Sequence, residues 1–270
     1  MKPRFVHLRV HTAYSLSEST LRIAKLAELA QNDAQPAMAI TDSQNLFGGY
    51  EFSKLMAQSG VQPIIGASIF LRDEQGVGEV VLLAQNEDGY KNLSKLMSDA
   101  WMQCDGSERP HVELEQFFSL SDGLILLTGG AKNGFIATSA LQSMKLAEAR
   151  LEKLNQNLSG RIYIELQRHG IQEEINAEDK LLALAYNLKL PLIATNDCHF
   201  ENDEMFVPQK ILTCIATNQR LASMNAYHQS AHHRFKSTEE MHTLFKDIPE
   251  AISNSVVIAE RCAFMIQERK

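Results

Sequence analysis

The chain has 270 residues, 44% of them hydrophobic, with a formal net charge of −7 at pH 7. That length buries a full core as one large α/β domain or two smaller ones, and neither a run near the roughly 20 apolar residues of a membrane span nor a secretory leader pattern is present. The charge disfavours an unaided grip on duplex DNA, and four scattered cysteines (Cys104, Cys198, Cys214, Cys262) without a C-x-x-C pair suit a reduced cytoplasm.

Phe5, Leu8 and Val10 mark a first strand that ends in polar His11, Thr12 and Tyr14. Ser17-Glu18-Ser19-Thr20 offers helix caps ahead of Leu21, Ile23, Leu26 and Leu29 at helical spacing. Ala37–Thr41 reads as a second strand and is followed by Asp42; a helix then covers about Tyr50–Gln58. Gln62–Leu71 and Glu79–Ala84 read as the third and fourth strands, with Gly66 a bulge or close-approach site and 72–78 a turn. A helix from Asp88 dissolves at 104–110, and Gly123–Thr128 is a fifth strand closed by Gly129-Gly130. One long helical stretch spans about Phe135–Leu158, Arg161–Gln167 is the sixth strand, and a helix over Glu173–Leu188 leads to the seventh, Pro191–Thr195. Asn196, Asp197 and His199 follow it.

Beyond His199 the pattern turns helical, over Met205–Thr217 and again after the capping box Ser237-Thr-Glu-Glu240. Between them, 219–236 is a polar stretch containing Tyr227, in which His228, His232 and His233 are expected to face solvent. Pro249 suits the first turn of a last helix. The strand and helix alternation argues for parallel β/α units, and about seven strands exceed a small open sheet, so a barrel-like closure is expected. In such a barrel the loops after the strands share one face, which gathers two His and two Asp that read as the remains of a metal cluster: His11, Asp42, Asp197 and His199.

Several segments occur in one order: His7-Leu-Arg-Val-His-Thr12, Ile40-Thr-Asp-Ser-Gln-Asn-Leu-Phe-Gly48, Gln62-Pro-Ile-Ile-Gly66, Leu82-Leu-Ala-Gln-Asn-Glu-Asp-Gly-Tyr-Lys-Asn-Leu93, Gly123-Leu-Ile-Leu-Leu-Thr-Gly129, Tyr163-Ile-Glu-Leu-Gln-Arg-His-Gly170, Ala194-Thr-Asn-Asp-Cys-His199 and Glu239-Glu-Met241. Together they resemble the N-terminal PHP (polymerase and histidinol phosphatase) domain of bacterial replicative DNA polymerases, the polymerase III alpha subunits. The likeness covers essentially the whole chain, 1–270, as one PHP domain. It implies a distorted (β/α)7 barrel, PHP-type, with C-terminal helices, and a much longer parent chain that polymerises DNA. Nothing here resembles a polymerase palm, so this stretch is not expected to polymerise DNA itself.

Metal-binding members of the family hold up to three ions on His, Asp, Glu and Cys ligands. The resemblance carries His11, Asp42, Asp197 and His199 over as kept ligands. It puts Arg9, Ser43, Ser68, Glu79, Gly130 and Gln209 where ligands are lost or altered, with His169 at the rim and His7 a neighbour able to replace the residue at 9. An arginine among ligands repels cations and pairs with carboxylates. No resident cofactor is therefore expected beyond one weakly bound divalent ion (Zn, Mn or Mg). Cys198 should point away from its neighbours in an extended backbone.

Two functions follow from the resemblance. One is a non-catalytic, metal-depleted scaffold that supports the polymerase core of the same chain and docks the proofreading exonuclease subunit, meeting DNA only through the full polymerase. The other is an active metal-dependent phosphoesterase or 3′–5′ exonuclease.

Overall fold

The computed structural model describes residues 4–221 and 230–268. Its sheet runs in the order β1 (Ala37–Ile40), β2 (Gln62–Asp73), β3 (Gly76–Ala84), β5 (Leu124–Leu127), β6 (Ile162–Leu166), β7 (Leu192–Ala194), with the short β4 (Val112–Glu113) pairing the far end of β2. β1–β2, β5–β6 and β6–β7 are parallel. The parallel repeat is broken at β3, which turns back on β2 as a hairpin and pairs antiparallel with β5 as well. The link between Asp73 and Gly76 is too short for the crossover that parallel strands require, and Gly76 takes φ 131° there. Because β3 runs the other way, its first residues, Glu79 among them, arrive at the end of the sheet where the other strands finish.

The first segment is not a continuous strand. His7 bridges Met38 and Val10 bridges Cys198, both in parallel sense. Ala39 N donates to His7 O (2.8 Å), while His11 N donates to Cys198 O (2.9 Å), so residues 7–11 join the two edges of the sheet and close it. Val6 and Leu8 pack in the barrel interior with Ala39, Ile64, Val81, Ile125 and Ile193, whereas Val10 packs outside with Leu21, Met38 and Ile40. The alternation therefore slips by one residue between Leu8 and Arg9.

The helices form where their apolar periodicity finds that outer face. α1 (Ile23–Asn32) buries Ile23, Leu26, Ala27 and Ala30, and α2 (Gly49–Gln58) buries Phe52 and Met56. α1 starts after Arg22 without a side-chain cap; Ser19 Oγ instead lies 2.6 Å from His11 O and 2.7 Å from His199 O. α3 (Glu87–Gln103) is capped by Asn86, whose side chain accepts from Gly89 N at 2.9 Å. A short α4 (Leu114–Ser119), which the sequence pattern does not announce, buries Leu114 and Phe117. The expected single helix over 135–158 is two, α5 (Ala137–Gln142) and α6 (Met144–Asn157), broken by an extended Ser143. That break lets Ala140 on one piece and Leu151 and Leu154 on the other both reach the core. α7 (Gln172–Leu188) precedes β7, and α8 (Phe206–Thr217) follows it.

α9 (Thr238–Leu244) has the expected capping box between Ser237 and Glu240. α10 (Pro249–Arg261) ends by pushing Ile258, Ala259 and Cys262 into the barrel interior, and Gln62 Nε2 donates to the carbonyls of Ala259 and Cys262. Since Gln62 opens β2, this plug closes the end opposite the finishing strands. Gly66 is a close-approach site: a Cβ there would lie 2.5 Å from Leu82 O.

Candidate metal centre

The loops after β1, β5, β6 and β7 surround a cleft of about 480 Å³, lined among others by Arg9, His11, Glu18, Ser43, Glu79, Gly130, Lys132, Gln167, Asp197, His199 and His233. Asp197 stands at its centre in the left-handed region, φ 44°. Few residues adopt that backbone without a reason. Here it turns the carboxylate toward three groups at once.

The first is Arg9, whose Nε donates to Asp197 Oδ1 at 2.8 Å. Its Nη2 meets Glu79 Oε2 at 2.6 Å and its Nη1 meets Glu165 Oε2 at 3.4 Å. Burial opposes the guanidinium charge, but Asp197, Glu79 and Glu165 outweigh it and hold Arg9 protonated. Burial would likewise push Asp197 up; Arg9 first, then His199 and His11, bring its carboxyl well below the usual range. Glu165 is raised by burial, partly offset by Arg9. Its remaining neighbours are Gly129 N, Gln167 Nε2 and Thr195 Oγ1, all donors, the set a carboxylate needs.

The other two are imidazoles. His11 Nε2 lies 3.0 Å from Asp197 Oδ1 and His199 Nε2 lies 3.4 Å from it, with the two rings stacked at 4.4 Å. Their far nitrogens fix the tautomers. His199 Nδ1 donates to Glu18 O at 3.0 Å. His11 Nδ1 faces Ser15 Oγ (3.2 Å) and Ser43 Oγ (3.3 Å). Those hydroxyl hydrogens are already committed to Asp42 Oδ1 and to Glu18 Oε2, so His11 Nδ1 is the donor. Two imidazole lone pairs and a carboxylate oxygen thus converge. The ligand atoms lie within 4.8 Å of one another, and His11 Nε2 is buried without an in-line hydrogen bond.

Such an arrangement calls for a proton or a metal ion. The proton is favoured at His11, where burial would lower the pKa but Asp197 more than reverses it. The donor set fits one divalent ion, His11, Asp197 and His199 being two nitrogens and one oxygen. Among the described residues it is the one such group.

The other expected site residues are distributed differently. Asp42 turns to the backbone of the first loop, accepting from Thr12 N (2.5 Å), Thr12 Oγ1 (2.7 Å) and Ser15 Oγ (2.6 Å). Ser68 Oγ donates to Thr41 O (3.2 Å) and Gln209 Nε2 to Glu18 O (2.5 Å); neither lines the cleft. His7 is not beside Arg9, because of the one-residue slip. Its ring packs on Phe5 and Phe235 outside the barrel, and Nε2 meets Lys236 O at 2.8 Å.

His169 is buried behind the rim between two acceptors, Glu174 Oε1 (2.6 Å) and Asn196 O (2.5 Å). Cys198 points away from the cleft, and burial raises its thiol to about 12. Gly130 lines the cleft, and a Cβ there would meet Gln167 Oε1 at 2.1 Å.

Glu165, Gln167, Glu18 and His233 escape a reading of the sequence. A lone Glu within the otherwise apolar Tyr163–Leu166 run is the one signal that was available, since a charge in a buried strand needs a partner. His233 reverses an expectation: it is 5% exposed, stacks on His169 at 3.8 Å and is held well below the usual histidine range by burial, then by His169. His232 is exposed as expected; Tyr227 and His228 lie outside the described residues.

A model of the PHP domain matches residues 7–169. DNA polymerase III subunit alpha of Caulobacter vibrioides is 38% identical over 276 residues, covering 98% of this chain and 24% of that protein. The same subunit of Borreliella burgdorferi is 35% identical over 97% of this chain and 24% of its own length, and that of Pseudomonas aeruginosa 35% over 99% and 23%. The chain spans about a quarter of the length of these curated relatives.

Proposed function

The chain belongs to the PHP domain family, and from that premise we propose that it serves a replicative DNA polymerase alpha subunit as a metal-depleted, non-catalytic scaffold. The observation that carries this reading is Arg9. Its guanidinium, with 4% of the side chain exposed, engages Glu79, Glu165 and Asp197 from within the chain. A fixed charge 2.8 Å from the shared ligand oxygen of Asp197 repels any ion approaching His11 and His199.

In this reading the domain supports the polymerase core of the same parent chain and docks the proofreading exonuclease subunit, both roles taken from the resemblance. A net charge of −7 suits protein partners better than DNA, which is then met only through the full polymerase. Free cysteines, three of them buried, fit a cytoplasmic setting, and among the described residues no helix is long and apolar enough to cross a membrane.

A second reading is favoured by one observation, the converging lone pairs of His11 and His199 at Asp197. In it, His11, Asp197 and His199 hold one divalent ion in a phosphoesterase or 3′–5′ exonuclease. A bound ion supplies Lewis acidity and an activated water. The chain's own contribution is orientation: Glu18 O and the Ser15 and Ser43 hydroxyls hold both imidazoles with Nε2 turned inward.

Elemental analysis of protein purified without chelator or added metal, beside His199→Ala, separates the two. Near-zero metal in both fits the scaffold. Stoichiometric metal that falls at least tenfold in the variant sinks it. Co-purification with the exonuclease tests the docking role.

A further inference from the structure

Arg9 meets its three carboxylates along three different N–H edges: Nε to Asp197, Nη2 to Glu79, and Nη1 to Glu165. Glu165 is wholly buried, and Glu79 and Asp197 keep 13% and 15% of their side chains exposed. Around them stand more groups that face the cage with their positions fixed. Gly129 N donates to the same Glu165 oxygen that Arg9 Nη1 approaches, and Thr195 and Gln167 hold the other. His11, itself 2% exposed, brings Nε2 to 3.0 Å from Asp197 Oδ1 without an in-line hydrogen bond.

These oxygens are spread around the rim of a planar fork. A guanidinium group presents five N–H donors in one plane and is weakly hydrated, so it sheds water readily on burial. A magnesium-sized ion instead demands about six oxygens at roughly 2.0–2.1 Å in an octahedron and dehydrates reluctantly. Three carboxylates facing one plane, one of them sharing its oxygen with a backbone N–H, match the first occupant and not the second.

We propose that Glu79, Glu165 and Asp197 form a guanidinium-binding site, filled in the native chain by Arg9, which takes up free guanidinium from solution in preference to magnesium once the Arg9 side chain is removed. The inference rests on the scaffold reading and deepens it. The cation that organises the mouth of the barrel is part of the chain, so the fold there needs no metal supply.

The test is Arg9→Ala, followed by its thermal midpoint. Removing one partner of a buried charge cluster costs a midpoint fall of roughly 10 °C in a chain of this size. Guanidinium chloride at about 10 mM, far below denaturing levels, should restore roughly 4 °C, saturably, if it binds with a Kd on the order of 1 mM. Sodium chloride, methylammonium and Mg²⁺ at the same concentration should restore less than a quarter of that. The wild type and Arg9→Ala/Glu165→Gln should not respond.

Equal responses to guanidinium and methylammonium, or a larger one to Mg²⁺, overturn the proposal, as does no response at all. Where Arg9→Ala does not accumulate as folded protein, the soluble yield on refolding takes the place of the midpoint. A yield raised at least threefold by guanidinium and not by equimolar urea supports the site, and equal yields reject it. Stoichiometric metal in the wild type would remove the scaffold reading while leaving guanidinium rescue intact. Absent rescue in a metal-free protein would remove this inference alone.

Discussion

Gly130 and Gln167 share one space. A Cβ at position 130 would lie 2.1 Å from Gln167 Oε1 and 2.9 Å from its Cδ, while Gln167 Nε2 is tied to Glu165 Oε1 at 3.0 Å and to Thr195 Oγ1 at 3.1 Å. The amide thus fills the part of the cleft that a side chain at 130 would use, and its bonds keep it from swinging aside. Gly130→Ala alone should cost about 1–3 kcal/mol by overpacking. Gly130→Ala combined with Gln167→Ala should recover at least half of what the two single changes predict by addition. Urea unfolding of the four proteins measures the coupling; strict additivity would show that the two positions do not compete.

His7 makes stability depend on pH. Burial lowers its pKa to about 4, from an ordinary value of 6.5. Between those values the unfolded chain takes up a proton that the folded chain refuses, so stability is full above 6.5 and declines as pH falls toward 4. From pH 7 to pH 5 the loss is roughly 2 kcal/mol from this residue. His233, also depressed by burial, acts in the same sense. His7→Gln, which can still donate to Lys236 O, should flatten the slope by the His7 share. Unfolding free energies of both proteins at the two pH values provide the comparison, and parallel slopes would refute it.

Arg150 anchors the hairpin of β2 and β3 to α6. Its Nε meets Asp73 Oδ2 at 2.8 Å and its Nη2 meets Asp73 Oδ1 at 2.5 Å, with Nη1 on Phe135 O and the guanidinium 4.0 Å over the Phe135 ring. The pair is largely buried, at 7% and 15% side-chain exposure. Arg150→Ala should destabilise by about 3 kcal/mol, much of it from the stranded Asp73 charge, and Asp73→Asn in the same chain should return part of the loss. Denaturation midpoints decide; a loss below about 1 kcal/mol would mean that solvent reaches the pair.

The cysteines should divide by reactivity. Cys198 and Cys262 are wholly buried and burial raises each thiol to about 12; Cys214 is buried too, and Cys104 alone among the four is partly exposed. A thiol reagent at pH 8 should modify one equivalent rapidly in the native protein, absent in Cys104→Ser, and the rest only on unfolding. Rapid labelling at Cys198 would show that its thiol is not held in the buried position described above.

The periodic parts of this fold are legible in the sequence. β5 and β7 are short apolar runs opened by Gly123 and Pro191, β6 is apolar but for Glu165, and α7 keeps helical spacing through Leu181 and Leu184. The direction of β3 is written in the short Asp73–Gly76 link, a local signal that the expectation of parallel repeats overrode. The slip between Leu8 and Arg9 is not written locally, because packing against Met38 on one side and Cys198 on the other decides it.

The centre divides in the same way. His11, Asp197 and His199 follow strands and could be placed by position alone. His233 owes its burial to His169, far away in sequence, and Gln167 owes its role to an absent side chain at 130.

The joining of the sheet edges by residues 7–11 has a consequence for how the chain matures. Arg9 and Asp197 are 188 positions apart, and Val6 N reaches Ser255 Oγ across 249. Pairings of such range come late, after nearer contacts have offset the entropy of closing the loop. At a synthesis rate of about 5–20 residues per second, the first strand waits roughly 10 s or more on the ribosome for its partners. Until then Val6 and Leu8 can pair only with nearer partners such as Ala39 and Ile64, so the closure across the two sheet edges forms after that first packing.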